Sequence, residues 1–233
     1  MKILSLETSA KACSAAVTED GALLGLAYQN VGLTHSRTLM PMVEDLLKNA
    51  GLTLAEMDAV AVARGPGSFT GIRIGVAAAK GLAFAAGLPV IGVSTLDAMA
   101  RNAAVQDGLI LCAMDARRNQ IYNALFQAEG GRLTRLCDDR AIALADLARE
   151  LSAQAGPIWV TGDGAALCLA YMDAAGLPCR PAAPHLLFQS AAGVGLSAQL
   201  LAEDPTHLLA PQALTPLYLR PPQAQRLSER RKP

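Results

Sequence analysis

The chain has 233 residues, 52% of them apolar and only 4% aromatic, and its 20 basic and 20 acidic side chains give zero formal net charge. That length fits one large domain or two small ones, and the scarcity of rings requires a core of Ala, Leu, Val and Ile with backbones close together. Balanced charge argues against a generic nucleic-acid binder; Cys13, Cys112, Cys137, Cys168 and Cys179 form no Cys-x-x-Cys pair, which argues against a disulfide framework or a zinc site and suits free thiols in a reducing cytoplasm.

Lys2–Leu6 is short and apolar and reads as a buried strand; Glu7 and Lys11 break the stretch too early for a signal peptide. Strands at Cys13–Thr18 and Ala22–Tyr28 follow, with Asp20-Gly21 as the hairpin turn between them. A helical pattern runs from about Ser36 to Asn49, ended by Gly51, and Pro41 predicts an irregular first turn or a late start. Thr34 or Ser36 is the expected N-cap, and His35 beside Ser36 carries no attack geometry. Ala59–Ala63 is a further buried strand. The loop Arg64-Gly65-Pro66-Gly67-Ser68-Phe69-Thr70-Gly71 then feeds a long helix to about Ala86, closed by Gly87 and Pro89. The apolar run Ile74–Leu88 within it is split by Lys80 and reads as too short to span a bilayer. Val90–Val93 is a strand, and Ser94 with Asp97 opens the next helix as a capping box.

The second half begins again in the same way. Leu109–Asp115, Gln120–Gln127 and Arg132–Leu136 form another meander, with Gly130-Gly131 at a turn. An offset of 108 positions lays Cys112 on Leu4, Met114 on Leu6 and Asp115 on Glu7, a repeat of pattern more than of identity. Helices near Ala143–Gln154 and Ala165–Ala175 flank a strand at Ile158–Thr161, a further helix spans about Leu186–Ala202, and the proline-rich Pro205–Pro222 reads as extended surface chain. Two such units describe an α/β fold of the actin-like, sugar-kinase and Hsp70 type (ASKHA): two duplicated lobes, each a mixed sheet flanked by helices. The expected division is 1–104, 105–222 and a basic flexible tail at 223–233 carrying Arg226, Arg230, Arg231 and Lys232.

Five blocks carry a resemblance: Glu7-Thr8-Ser9; Ala63 through Arg73; Gly92-Val93-Ser94-Thr95-Leu96; Asp115-Ala116-Arg117-Arg118; and Leu217-Tyr218-Leu219-Arg220. Together, and in this order, they resemble the TsaB family (YeaZ-like), whose members support threonylcarbamoyl transfer to the adenosine beside the tRNA anticodon. The pattern is also similar to the paralogous TsaD family, which binds a catalytic metal through His-x-x-x-His. The corresponding stretch here is Thr95-Leu96-Asp97-Ala98-Met99, and hydroxyl and thioether are poor substitutes for imidazole at iron or zinc.

The resemblance implies a cytoplasmic, non-catalytic scaffold with no cofactor or metal of its own. ATP and metal are expected on partner subunits, a TsaD-type catalytic subunit and a TsaE-type ATPase. It also implies a homodimer when the chain is alone, tRNA contact only through the complex, and no membrane. The alternatives are an ATP-binding kinase or hydrolase of the same fold, or a peptidase-like protein.

Candidate nucleotide residues are Glu7 and Asp115, which could hold magnesium across the cleft, and Gly162-Asp163-Gly164, a possible adenine loop; caps and turns are the bland explanation for each. The Gly65–Gly71 loop could cradle phosphate, but it lacks the Walker lysine, and a tight strand-to-helix connection is preferred. Small residues recur every four positions along the second long helix, allowing another helix to approach closely. The expected partner surface is Leu39, Met40, Val43 and Leu47 with Gly75, Ala78, Ala79 and Leu82.

Overall fold

The computed structural model describes residues 1–220, and the basic tail expected at 223–233 lies outside the described residues. In chain order the first half runs β1 (Lys2–Glu7), β2 (Cys13–Glu19), β3 (Ala22–Gln29), α1 (His35–Ala50), β4 (Ala59–Gly65), α2 (Phe69–Ala86), β5 (Val90–Ser94) and α3 (Thr95–Ala103). The second half runs β6 (Gly108–Asp115), β7 (Gln120–Glu129), β8 (Arg132–Arg135), β9 (Arg140–Ala143), α4 (Leu144–Leu151), β10 (Ile158–Thr161), α5 (Ala165–Ala174), β11 (Cys179–Pro181) and α6 (Ala191–Leu201).

The first sheet has the order β3-β2-β1-β4-β5 and the second β8-β7-β6-β10-β11, with β9 also on β7. Each is an antiparallel meander continued by parallel strands. The duplication is therefore present strand for strand, and β1 and β6 are its equivalent central strands. Both are covered on two faces, which is why they read as apolar runs rather than alternations. Asp20-Gly21 turns with both residues at positive φ (48° and 83°), the geometry a two-residue hairpin needs.

Several local expectations are corrected. Helix α1 starts at His35 and passes through Pro41 without a late start; Arg37 and Pro41 are both exposed, so water can reach the carbonyl that proline leaves unpaired. Its N-cap is Thr34, without a side-chain capping bond. Helix α6 begins at Ala191, five residues later than expected, after a 3₁₀ turn at Pro184–Leu186. The described part of the proline-rich segment, 205–220, is no simple surface strap: Leu209 pairs with Val90, and Leu214 is fully buried in the first lobe's core.

The division at 104/105 is crossed by packing. Leu96, Met99, Ala100 and Ala103 of α3 pack on Ile110, Cys112 and Phe126 of the second sheet. Val194 and Ala198 of α6 pack on Ile3, Ala61 and Ile91 of the first. The two helices touch at Gly193, where an added Cβ would lie 2.1 Å from the Ala98 carbonyl oxygen. Each lobe is closed by a helix from the other half of the chain.

Candidate functional site

A cleft of about 480 Å³ opens where the lobes meet. Its walls come from the turn after β1, the loop before α2, the β6–β7 turn, Asp163 and the segment 217–220. The β6–β7 turn places Arg117, Arg118 and Asn119 all at positive φ (66°, 58° and 55°). Asp115 accepts the Arg117 N–H at 2.7 Å, fixing the turn at the cleft edge.

The glycines of the Arg-Gly-Pro-Gly block serve close backbone approach. A Cβ on Gly65 would meet the Leu217 oxygen at 2.2 Å, on Gly67 the Ser9 oxygen at 2.4 Å, and on Gly71 the Thr8 oxygen at 2.1 Å. The Ser68 N–H donates to the Ser9 carbonyl at 2.6 Å, and Ser68 Oγ caps α2 through Gly71. The loop is a tight strand-to-helix connection in which the Ser68 and Gly71 N–H groups are engaged.

Three sequence blocks converge here. Leu217 N–H donates to the Arg64 carbonyl at 2.7 Å. Tyr218 stacks on Phe69 with ring centroids 4.9 Å apart, and Arg73 lies 3.8 Å over the Phe69 ring while its Nε donates to the Tyr218 hydroxyl at 2.9 Å. Arg220 donates to the Ala116 carbonyl at 3.1 Å. The Leu-Tyr-Leu-Arg segment thus bridges both lobes across the cleft mouth, a role with no signature in its own sequence.

The nucleotide candidates come together only in part. Asp115 and Asp163 line the cleft, but Glu7 is fully buried and does not. The expected facing of Glu7 and Asp115 across the cleft is corrected, because Glu7 is withdrawn into the interior while Asp115 lines the cleft; the Asp163 carboxylate adds repulsion to Glu7. Desolvation, reinforced by that repulsion, pushes the Glu7 carboxyl up to about 7. Burial likewise pushes the Asp163 carboxyl up from its ordinary value, against the pull of a 2.8 Å hydrogen bond from Gln189. Gly162 and Gly164 would bring a Cβ within 2.2 Å of the Ala113 oxygen and 2.9 Å of the Asp115 nitrogen. The Gly-Asp-Gly segment is therefore a close crossing over β6 and not an open adenine loop.

The chemistry on offer is ionic: two carboxyls, with Lys11, Arg117 and Arg220 along the same cleft. His35 Nε2 is engaged with the Ala10 carbonyl at 2.7 Å. Among the described residues no three His, Cys, Asp or Glu side chains converge as metal ligands. Thr95 and Met99 are interior residues of α3.

The expected partner surface divides in two. Leu39, Val43 and Ala79 belong to the core of the first lobe, and Gly75 is packed against Thr8 and Val62. These four face their own sheet and are withdrawn from the surface. Met40 is 44% exposed, and Leu47, Ala78 and Leu82 are half-buried. The outward face of α2 is instead Ala77, Gly81, Phe84 and Ala85, with Phe84 80% exposed. By length and composition α2 reaches the threshold for crossing a membrane, contrary to the reading of its apolar run, but its Ile72, Val76 and Ala83 pack on β1 and β4 as a lobe helix does.

A family model described as "TsaD: tRNA N6-adenosine threonylcarbamoyltransferase" matches residues 25–166. The chain is 35% identical over 229 residues to the tRNA threonylcarbamoyladenosine biosynthesis protein TsaB of Escherichia coli, covering 94% of this chain and 95% of that one. It is 34% identical over 167 residues to the protein of the same description from Bacillus subtilis, 72% of this chain and 73% of that one. Among solved structures, YeaZ from Pseudomonas aeruginosa superposes with a TM-score of 0.76 at 31% identity, covering 94% of this chain and 99% of that one. A 2-hydroxyglutaryl-CoA dehydratase component from Acidaminococcus fermentans, at 11% identity and a TM-score of 0.53 over 88% of this chain and all of that one, shares the fold alone.

Proposed function

We propose, from the premise that this chain belongs to the TsaB family of tRNA threonylcarbamoyladenosine biosynthesis proteins, that it is a non-catalytic subunit supporting a TsaD-type enzyme. In this reading the partner transfers threonylcarbamoyl to the adenosine beside the anticodon of ANN-decoding tRNAs. A TsaE-type ATPase joins the larger assembly, tRNA is met through the complex, and the chain alone pairs with itself. The setting is the cytoplasm.

The observation that carries this reading is the bare outer face of α2. Ala77, Gly81 and Ala85 leave its backbone uncovered, a Cβ added at Gly81 would meet nothing within 4 Å, and Phe84 stands out beside them. Small residues admit a second helix at about 8–10 Å between axes, and an uncovered apolar patch of this kind marks a contact surface. The interior position of Thr95 and Met99 supports the non-catalytic part, since side chains buried in α3 present no ligand to a metal in the cleft. The test is co-purification of the full chain with its cognate TsaD-type protein, together with ATP-turnover and peptide-cleavage measurements on the chain alone. The reading expects a stable pair and no turnover; turnover by the isolated chain, or no pair, overturns it.

A further inference from the structure

We propose that a second cavity, at the open edge of β5 and away from the cleft, binds the phosphate group of a small phosphomonoester. The cavity measures about 340 Å³, within the range of small-molecule sites, about 300–1,000 Å³.

Its basic side chains come from four places in the chain: Arg64 at the end of β4, Arg101 in α3, Arg135 in β8 and His207 in the 3₁₀ turn after α6. The neighbouring carboxylates are already engaged. Asp97 accepts from Ser197 Oγ at 2.6 Å and Arg101 Nε at 3.2 Å, and lies 3.6 Å from Arg135. Asp139 accepts from Ser94 Oγ at 2.5 Å and Arg135 at 2.7 Å. Two carboxylates against three guanidiniums leave one positive charge in excess, and the geometry identifies it. Arg64 is half-buried and has no hydrogen bond or ion pair from its side chain among the described residues. A planar guanidinium with unused donors is suited to gripping a phosphate in bidentate fashion.

Gly92 makes this placement possible. A Cβ there would come within 2.7 Å of Arg64 Cδ and 2.8 Å of Leu214 Cδ1, so only glycine lets the arginine stem lie across β5. Gly92 belongs to a sequence block that does not line the cleft, and of Arg64 only the carbonyl is engaged there, by Leu217, which leaves its side chain without a role in that site. The backbone adds a donor. The N–H and C=O of Val90 both go outward to Leu209, at 2.8 and 2.9 Å. Residues of a parallel strand alternate in the edge they address, so the Gly92 N–H and C=O both point out along the same open edge, and among the described residues the N–H is a free donor at the cavity that Gly92 lines. Val93, Leu200 and Leu201 form an apolar wall for the organic part of the ligand.

The test is NMR of the isotopically labelled full chain, following the Gly92 amide, with calorimetry for affinity. The probes are inorganic phosphate, ribose 5-phosphate and a single-stranded RNA oligonucleotide. Both phosphates are expected to shift the Gly92 amide saturably, ribose 5-phosphate at the lower concentration. Arg64→Gln should weaken binding by at least about tenfold, the loss of one charged hydrogen-bonding group. His207→Gln, at an exposed position that spares the fold, should weaken it too, and Arg37→Gln on distant α1 should leave it unchanged. If Arg64→Gln fails to fold, His207→Gln decides. No shift at Gly92 with either phosphate, unchanged affinity in the deciding variant, or a response to RNA alone would overturn the assignment.

Discussion

Glu7 Oε1 accepts the backbone N–H of Ser9 at 2.5 Å, while Glu7 Oε2, equally buried, has no partner among the described residues. Half of this carboxylate is satisfied and half is stranded, and desolvation therefore dominates its titration. Its pKa rises from the ordinary 4.5 to about 7. A raised carboxyl holds its proton in the folded state where the unfolded chain has released it, so its contribution is fully present below 4.5 and is lost as pH climbs to about 7. The loss is on the order of 3 kcal/mol. Glu7→Gln should flatten stability between pH 5 and pH 8, measured by urea unfolding. A pH slope identical to the parent protein would show that Glu7 does not titrate this way.

The two faces of α2 make opposite predictions for one kind of change. Ala79 is fully buried against its own sheet, so Ala79→Arg strands a charge in the core and should cost roughly 3–5 kcal/mol. Ala77 faces outward, so Ala77→Arg should fold normally and lose affinity for the TsaD-type partner by about two orders of magnitude. Circular dichroism with sedimentation separates the cases; a folded Ala77→Arg that still binds at full strength would move the interface elsewhere.

Two glycines of α2 should respond in opposite senses to alanine. At Gly71 the new Cβ lies 2.1 Å from the Thr8 carbonyl oxygen, which is backbone and cannot swing away. Gly71→Ala should destabilise by about 1–3 kcal/mol. At Gly81 the space is open, and Gly81→Ala should stabilise by about 0.5–1 kcal/mol through helix propensity alone. Chemical denaturation of both variants checks the pair.

Leu214 is fully buried in the first lobe, and Lys80 Nζ donates to its carbonyl at 3.0 Å. Leu214→Ala should cost about 2–5 kcal/mol, far beyond what a surface strap would lose. Thermal unfolding gives the answer directly, and a shift within error would return the segment to the surface role its prolines suggest.

The sequence by itself determined the repeated unit. Strand and helix periods, Asp20-Gly21, Gly51, Gly87 and the Ser94 cap are local signals, set by backbone conformation and by which neighbours share a face, and the structure places each near its expected position. It also carried the tight loop at Gly65–Gly71, because close backbone approach demands glycine wherever it occurs. The tertiary structure alone decided which side of each helix is covered. Gly75 and Ala79 look the same in sequence as Ala77 and Gly81, since both stripes are small residues four apart, and only docking on β1 and β4 buries one and bares the other. The exchange of α3 and α6 between lobes, the burial of Glu7 and the arginine lying across Gly92 were hidden for a related reason. Each joins positions far apart in the chain, and no local propensity records the distance between them.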